Sequence, residues 1–376
     1  MFERIRHMLR KEFIQIFRDP KMKGVIFLMP VIQVLVFGYA VTTDVTNVST
    51  AVYDLDDSVA SRELISRFAG SGYFEIAAHV GRPEEAQQLV DRGEVQAVLH
   101  MRRGFGENLY GGRTAQLQVI VDGTDSNTAG IVLDYTGRIV RDFSQQVLLD
   151  RRLRLQGEEQ PTGQIDLRTR AWFNENLESR NFYVPGVIAI IVMLVTLMLT
   201  SMAVVREKEI GTMEQIMVTP ITQAEFILGK TAPFALIGFA DVLLVAFVGV
   251  FWFEVPIQGS LLLLFGATAL YLLSTLGMGL LISTVSETQQ QAMMGAFFFY
   301  FPAVLLSGFM FPIANMPEVI QWLTYLNPLR YFLVIVRGIF LKGVGPDVLW
   351  PQMLALALLG SAVLWLAARR FHKTTA

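Results

Sequence analysis

Few residues in this chain have both the type and the spacing to do chemistry. Gly229-Lys230-Thr231 carries the end of a phosphate loop, which needs G-x-x-x-x-G-K-[ST] after a strand. Ala224 stands where the first glycine belongs. Glu225, Phe226, Ile227 and Leu228 then lead into an apolar helix, so no glycine-rich turn offers N–H groups to a phosphate. Asp54, Asp56 and Asp57 are grouped as cation ligands can be, but their spacing fits no EF-hand and a solvated turn accounts for them. His7, His79, His100 and His372 are scattered without metal-ligand spacing. There is no cysteine, which removes disulfides, iron–sulfur clusters and thiolate chemistry. Asp241 is the clear acid inside a long apolar stretch. A charge there costs about 3 kcal/mol on insertion scales, so it needs a partner or water. It reads as a substrate contact, a proton relay or a carboxyl that bonds a neighbouring helix, with Gln33, Thr196 and Thr200 as candidate polar neighbours.

The elements that hold these residues follow from the distribution of charge. Of 376 residues, 53% are hydrophobic and 17% charged, against about a quarter charged in soluble domains. Charge is depleted from 182 to 368 and concentrated before 24 and between 42 and 180. The net charge of −2 gives no basic field for nucleic acid. A bilayer core of about 30 Å takes about 20 apolar helical residues. Spans are expected over 24–41, 182–205, 226–251, 260–283, 292–306 and 348–368. The first is long for a cleaved signal peptide and no A-x-A-like site follows it. Leu329 to Leu341 is too short to cross, and Arg330, Arg337 and Lys342 punctuate it. With Pro312, Pro317 and Pro328 it reads as part of a re-entrant or interfacial hairpin over 307–343.

Lys and Arg near the spans set orientation. Arg4, Arg6, Arg10, Lys11, Arg18, Lys21 and Lys23 precede the first span, and Arg369, Arg370 and Lys373 follow the last. Both ends read as cytoplasmic, which demands an even number of spans. Six satisfies this, with loop 206–225 cytoplasmic, a tail over 369–376, and the insert 42–181 outside. Over 1–23, Phe2, Ile5, Leu9, Phe13 and Ile16 recur three or four residues apart. This is an amphipathic helix lying against anionic lipid, or a flanking helix that sets topology. Thr275-x-x-x-Gly279 is a small-x-x-x-small pair for close helix packing within the subunit.

The insert alternates between strand and helix patterns. Strands are expected over 49–55, 74–80, 95–101 and 117–122, and helices over 59–68, 83–92 and 128–153. That makes an α/β domain with its own core. It has no nucleophile elbow, zinc pattern or phosphate loop, so it is expected to touch a partner or a substrate. Residues 156–164 look like a linker.

The loop Arg206-Glu-Lys-Glu-Ile-Gly-Thr-Met-Glu-Gln-Ile-Met-Val-Thr-Pro220 is charged at its start and built for a short helix. Thr212 with Gln215 and Thr222 with Glu225 fit capping boxes, and Pro220 is a stop. Ile216 and Met217 give an apolar side, with Glu207, Glu209 and Glu214 around it. A stiff helix joined to two spans is a lever, where a plain connector would need only turn residues.

R-E-K-E-x-G-T-x-E-Q, then Thr219-Pro220 and Gly229-Lys230, resembles the loop of ABC type-2 transporter permeases. Two further stretches are similar to that family: Ser307-Gly-Phe-Met-Phe-Pro-Ile-Ala-Asn-Met-Pro317, and Leu326-Asn-Pro-Leu-Arg-Tyr with Arg337-Gly-Ile-Phe-Leu-Lys-Gly343. The likeness covers essentially the whole chain. It implies an α-helical polytopic membrane protein of six spans, an α/β extracytoplasmic domain between the first two, and a re-entrant hairpin that closes the pathway. It implies that the loop is a coupling helix docking into a separate ATPase, with Arg206, Glu207, Lys208, Glu209, Gly211, Thr212, Glu214, Gln215 and Pro220 at that contact. Asp241, Gln33, Gly308, Pro312, Asn327 and Pro328 become pathway or gate candidates.

The resemblance further implies a bacterial inner-membrane exporter subunit that is not itself an enzyme and holds no cofactor. ATP and Mg bind partner ABC ATPase subunits, and the permease pairs as a homodimer or with a related permease. A periplasmic adaptor is a candidate further partner. The cargo expected is amphipathic or hydrophobic. The rival reading is an ion-coupled secondary transporter using Asp241, although no internal repeat of the kind common in such proteins is evident. A membrane-anchored sensor would need only one or two spans.

Overall fold

The computed structural model describes residues 2–18, 20–40, 47–156, 172–174, 178–212 and 221–370. The chain divides into two compact units, 43–169 and the remainder.

In the larger unit, α1 (Phe2–Arg18) leads to a short turn of helix, Pro20–Lys23, a π-helical turn, Gly24–Leu28, and α2 (Met29–Ala40). In the inserted unit come β1 (Val48–Asp54), α3 (Val59–Gly70), β2 (Phe74–His79), α4 (Pro83–Asp91), β3 (Ala97–Met101), α5 (Phe105–Gly111), β4 (Leu117–Val121) and α6 (Ser126–Gln156). The sheet order is β2-β1-β3-β4, with β1 parallel to both neighbours and β4 antiparallel to β3. Strand alternation divides two cores. Val48 and Val52 of β1 and Ala97, Leu99 and Met101 of β3 pack with α3, α5 and α6. Ala51, Tyr53 and Val98 pack with Ala86 of α4. Each expected strand and helix of the insert is present, shifted by a few residues at most. The added element, α5, is seven residues long and lies between Gly104 and Gly112, both left-handed. The linker expected over 156–164 falls outside the described residues beyond Gln156.

The remaining helices are α7 (Ser179–Ile210), α8 (Gln223–Phe251), α9 (Leu261–Val285), α10 (Gln289–Leu305), α11 (Glu318–Thr324), α12 (Pro328–Arg337) and α13 (Pro346–Arg370). Among the described residues, four helices, α7, α8, α9 and α13, are long and apolar enough to cross a membrane. A fifth candidate is the pair Glu318–Thr324 and Pro328–Lys342, bent by 78°. The expected count was six. The first expected span is a shorter apolar helix, Gly24–Tyr39, and the fifth is the 17-residue α10, which opens on three glutamines. At 1.5 Å per residue, each reaches only about 25 Å.

Helix α7 is apolar all round and buried along most of its length, as a central helix must be. It packs against α2, α8, α9, α10 and α12. Thr196 Oγ1 donates to Val192 O at 2.6 Å and lies 3.0 Å from Thr275 Oγ1. A Cβ on Gly279 would come within 2.7 Å of Thr200 Cβ. The Thr275–Gly279 pair therefore seats α9 against α7 within one subunit.

Candidate functional site

The charge run that opens the expected loop helix is not loop. Helix α7 continues through Arg206 to Ile210 and stops at Gly211, whose φ of +77° favours glycine. The loop expected to begin at Arg206 is, through Ile210, the final turn of a long helix. Glu214, Gln215 and Pro220 of the loop lie outside the described residues, as do Ile216 and Met217. The second expected capping box is present. Thr222 Oγ1 accepts from Glu225 N at 3.3 Å, and Thr222 N donates to Glu225 Oε2 at 2.8 Å.

Consecutive helical residues point about 100° apart, so four successive charges meet four surroundings. Arg206 Nε donates to Gln15 of α1 at 3.1 Å, with the amide oxygen turned toward it. Glu207 Oε1 accepts from Lys230 Nζ of α8 at 2.6 Å and from Lys11 Nζ of α1 at 2.9 Å. Lys230 also donates to Glu12 Oε1 of α1 at 2.7 Å. Thr212 Oγ1 donates to the second oxygen of Glu207. Lys208 Nζ reaches Ser286 O, just past α9, at 3.5 Å. Glu209 Oε1 accepts from Gln289 N at 2.7 Å, at the start of α10, and its other oxygen accepts from the Gln289 side chain.

Glu207, Lys230 and Glu12 are 3%, 2% and 4% exposed, so they form a buried ionic node. The two acids face Lys230 and Lys11, which balances the charge. Ions buried this way persist only when paired and hydrogen-bonded. Glu207, expected at a docking contact, is therefore turned inward, while Lys208 and Glu209 are exposed. The node also ties α1 to its neighbours. Its Glu12 and Ile16 are buried, and a Cβ on Gly229 would meet Met8 at 3.0 Å, so α1 packs tightly on α8 as well as presenting Ile14 and Phe17 outward.

The gate candidates cap and hinge the bent pair. Gly308 has φ +82°, and its carbonyl accepts from Arg337 Nη1 at 3.4 Å. Pro312 opens the short turn Ile313–Asn315. Asn327 Oδ1 caps α12 through Leu329 N at 3.1 Å, its Nδ2 donates to Ala303 O at 2.6 Å, and Pro328 takes the first helical position. Arg337 lies 3.6 Å over the Phe182 ring. No hydrogen bond joins Asp241 to Gln33, Thr196 or Thr200, the polar neighbours suggested for it. Asp241 is 2% exposed and its Oδ2 lacks a hydrogen bond, as do Gln33 Oε1 and Thr200 Oγ1.

Sequence reasoning passed over Glu12, Lys230 and Gln289 as members of one site. A signal existed for Lys230, which stands inside the third expected span and so calls for an acid. In the insert, the aspartates serve the fold. Asp54 Oδ1 accepts from Asp56 N, and Asp56 accepts from the N–H groups of Gly104, Phe105 and Gly106 at 2.7 to 3.0 Å. Among the described residues no cluster of three or more metal-ligating side chains occurs.

Several apolar helices of spanning length define a multi-pass membrane protein. Residues 24–369 match the family model described as ABC-2 family transporter protein. The chain is 36% identical to "Probable multidrug ABC transporter permease YbhR" of Escherichia coli K12, over 96% of this chain and 97% of that one. It is also 36% identical to "Probable multidrug ABC transporter permease YbhS" of the same organism, over 98% and 97%. It is 28% identical to the E. coli "Inner membrane transport permease YhhJ", over 86% and 85%. The chain belongs to the ABC-2 transporter family, as a membrane subunit of an ABC transporter.

Proposed function

We propose that this chain is the six-span permease of an exporter driven by a separate ATPase, which binds ATP and Mg. The carrying observation is the run Arg206–Glu209, whose four side chains contact α1, α8, the residue after α9 and the start of α10. A push on the end of α7 is thereby shared among helices that pack around it. Docking falls to the loop after Gly211, including Glu214, with the exposed Lys208 and Glu209 at its root. Two such permeases, identical or related, enclose the pathway, the bent pair closes its outer end, and the inserted domain stands outside. Both termini are cytoplasmic, the membrane is the bacterial inner membrane, and the cargo is amphipathic.

Gentle purification tests the reading. An ATP-hydrolysing subunit is expected to accompany the native chain and to be lost with Glu214→Lys. No accompanying ATPase, with transport surviving ATP depletion, would overturn it.

A further inference from the structure

The inserted domain leaves one side of its larger core open. Between β4 and α6 lies a cavity of about 750 Å³, lined by Leu117 and Val119 on one wall and Leu133, Thr136 and Val140 on the other. Gln116 and Gln118 also line it. Successive strand residues point to opposite faces, so a cavity touching both sets runs along the strand edge itself.

That edge is open among the described residues, because β4 pairs only with β3. Asp122 N donates to Gln96 O, across the same ladder. By the alternation of antiparallel pairs, Gln118 and Ile120 then turn their peptide groups to β3, and Leu117 and Val119 turn theirs outward into the groove. A hydrocarbon chain leaves such groups unmet, whereas an added strand satisfies them. Arg102, at the groove, is exposed and has no ion pair among the described residues. An acid on the incoming strand complements it.

We infer that this groove binds an extended segment of a partner protein by strand addition to β4, with apolar side chains at alternate positions and a carboxylate at Arg102. The geometry resembles other edge-strand and helix grooves in its use of main-chain bonds for affinity and alternate pockets for selection.

The test uses the full-length protein in nanodiscs and two fluorescent peptides alternating valine with threonine, one with an acid at each end. At least one is expected to bind saturably. Binding should weaken about tenfold with Val119→Pro, which removes an outward donor on an edge where proline is tolerated. It should weaken about fivefold with Arg102→Ala. Hydrogen exchange should show the Val119 amide protected by peptide and the Gln118 amide unchanged. Leu133→Asp, on a half-exposed lip, should block binding and decides the matter if Val119→Pro does not fold. The proposal is overturned if neither peptide binds, or if Val119→Pro binds as the native chain does. It is also overturned if oleate displaces the peptide with Val119 unprotected, or if Val119→Pro halves the particle mass, which assigns the edge to a second copy.

Discussion

Lys230 Nζ lies 2.6 Å from Glu207 Oε1, with both side chains almost wholly buried. The pair joins α8 to the end of α7, and Glu12 draws α1 into the same node at 2.7 Å. Lys230→Met leaves two buried acids facing only Lys11. Breaking a buried pair from one side costs about 3–5 kcal/mol. A large fall in the melting temperature in detergent is expected. Adding Glu207→Gln to Lys230→Met should return part of the loss. Additive losses in that double-mutant cycle would show that the two charges do not interact.

Glu209 predicts a different outcome, because it is exposed. Its carboxylate receives the first N–H of α10 and so acts as a cap supplied by another helix. Glu209→Ala should lower stability only modestly, because the carboxylate is exposed. Its larger effect should be on coupling, with ATP hydrolysis by the associated subunit persisting while transport into vesicles falls. Equal loss of both activities would mean that Glu209 serves assembly alone.

The inserted domain carries its own pH signature at Asp56. Burial raises the carboxyl, but the Ser58 hydroxyl and the N–H groups of Gly106, Gly104 and Phe105 outweigh it and hold it below its ordinary value. A depressed folded value adds stability that is present above the unfolded value, near 3.8, and is lost as pH falls through the folded one. Exchange at the α5 amides should therefore rise as pH drops below about 4. Asp56→Asn should show faster α5 exchange at neutral pH, by about 2 kcal/mol, and lose the acid transition. An unchanged transition in Asp56→Asn would assign it to another group.

Asp56 also shows where legibility ended. Three aspartates within four residues look like a cation site or a turn. Only the fold brings Gly104 to Gly106 against one of them, 48 to 50 positions away in sequence. The helix they anchor, α5, has glycines within it and beside it, which local propensity disfavours. The other elements of the insert were legible because their apolar periods are strong. In the membrane region, the long apolar helices were legible, while the lengths of the short ones, Gly24–Tyr39 and α10, were not, since hydropathy sets an apolar run and not a helix length. Arg206–Glu209 was legible as a charged cluster, but its bonds are to α1, α8 and α10, and long-range pairing leaves no local pattern.

Asp241 separates the two energy sources. It is 2% exposed, within α8, and its Oδ2 has no hydrogen-bond partner. A relay or cargo contact would use that open oxygen, while a packing role would have filled it. Asp241→Asn removes the titration and keeps the shape. If a separate ATPase does the work, transport in inverted vesicles should still require ATP and be insensitive to a collapsed proton gradient. The variant should keep that ATP dependence and fold at least as well, because an amide costs less to bury than a carboxylate. A cargo contact would appear as an altered apparent affinity with the ATP requirement intact. Loss of transport in Asp241→Asn, together with native transport that runs on a proton gradient without ATP, would move the energy source into this chain.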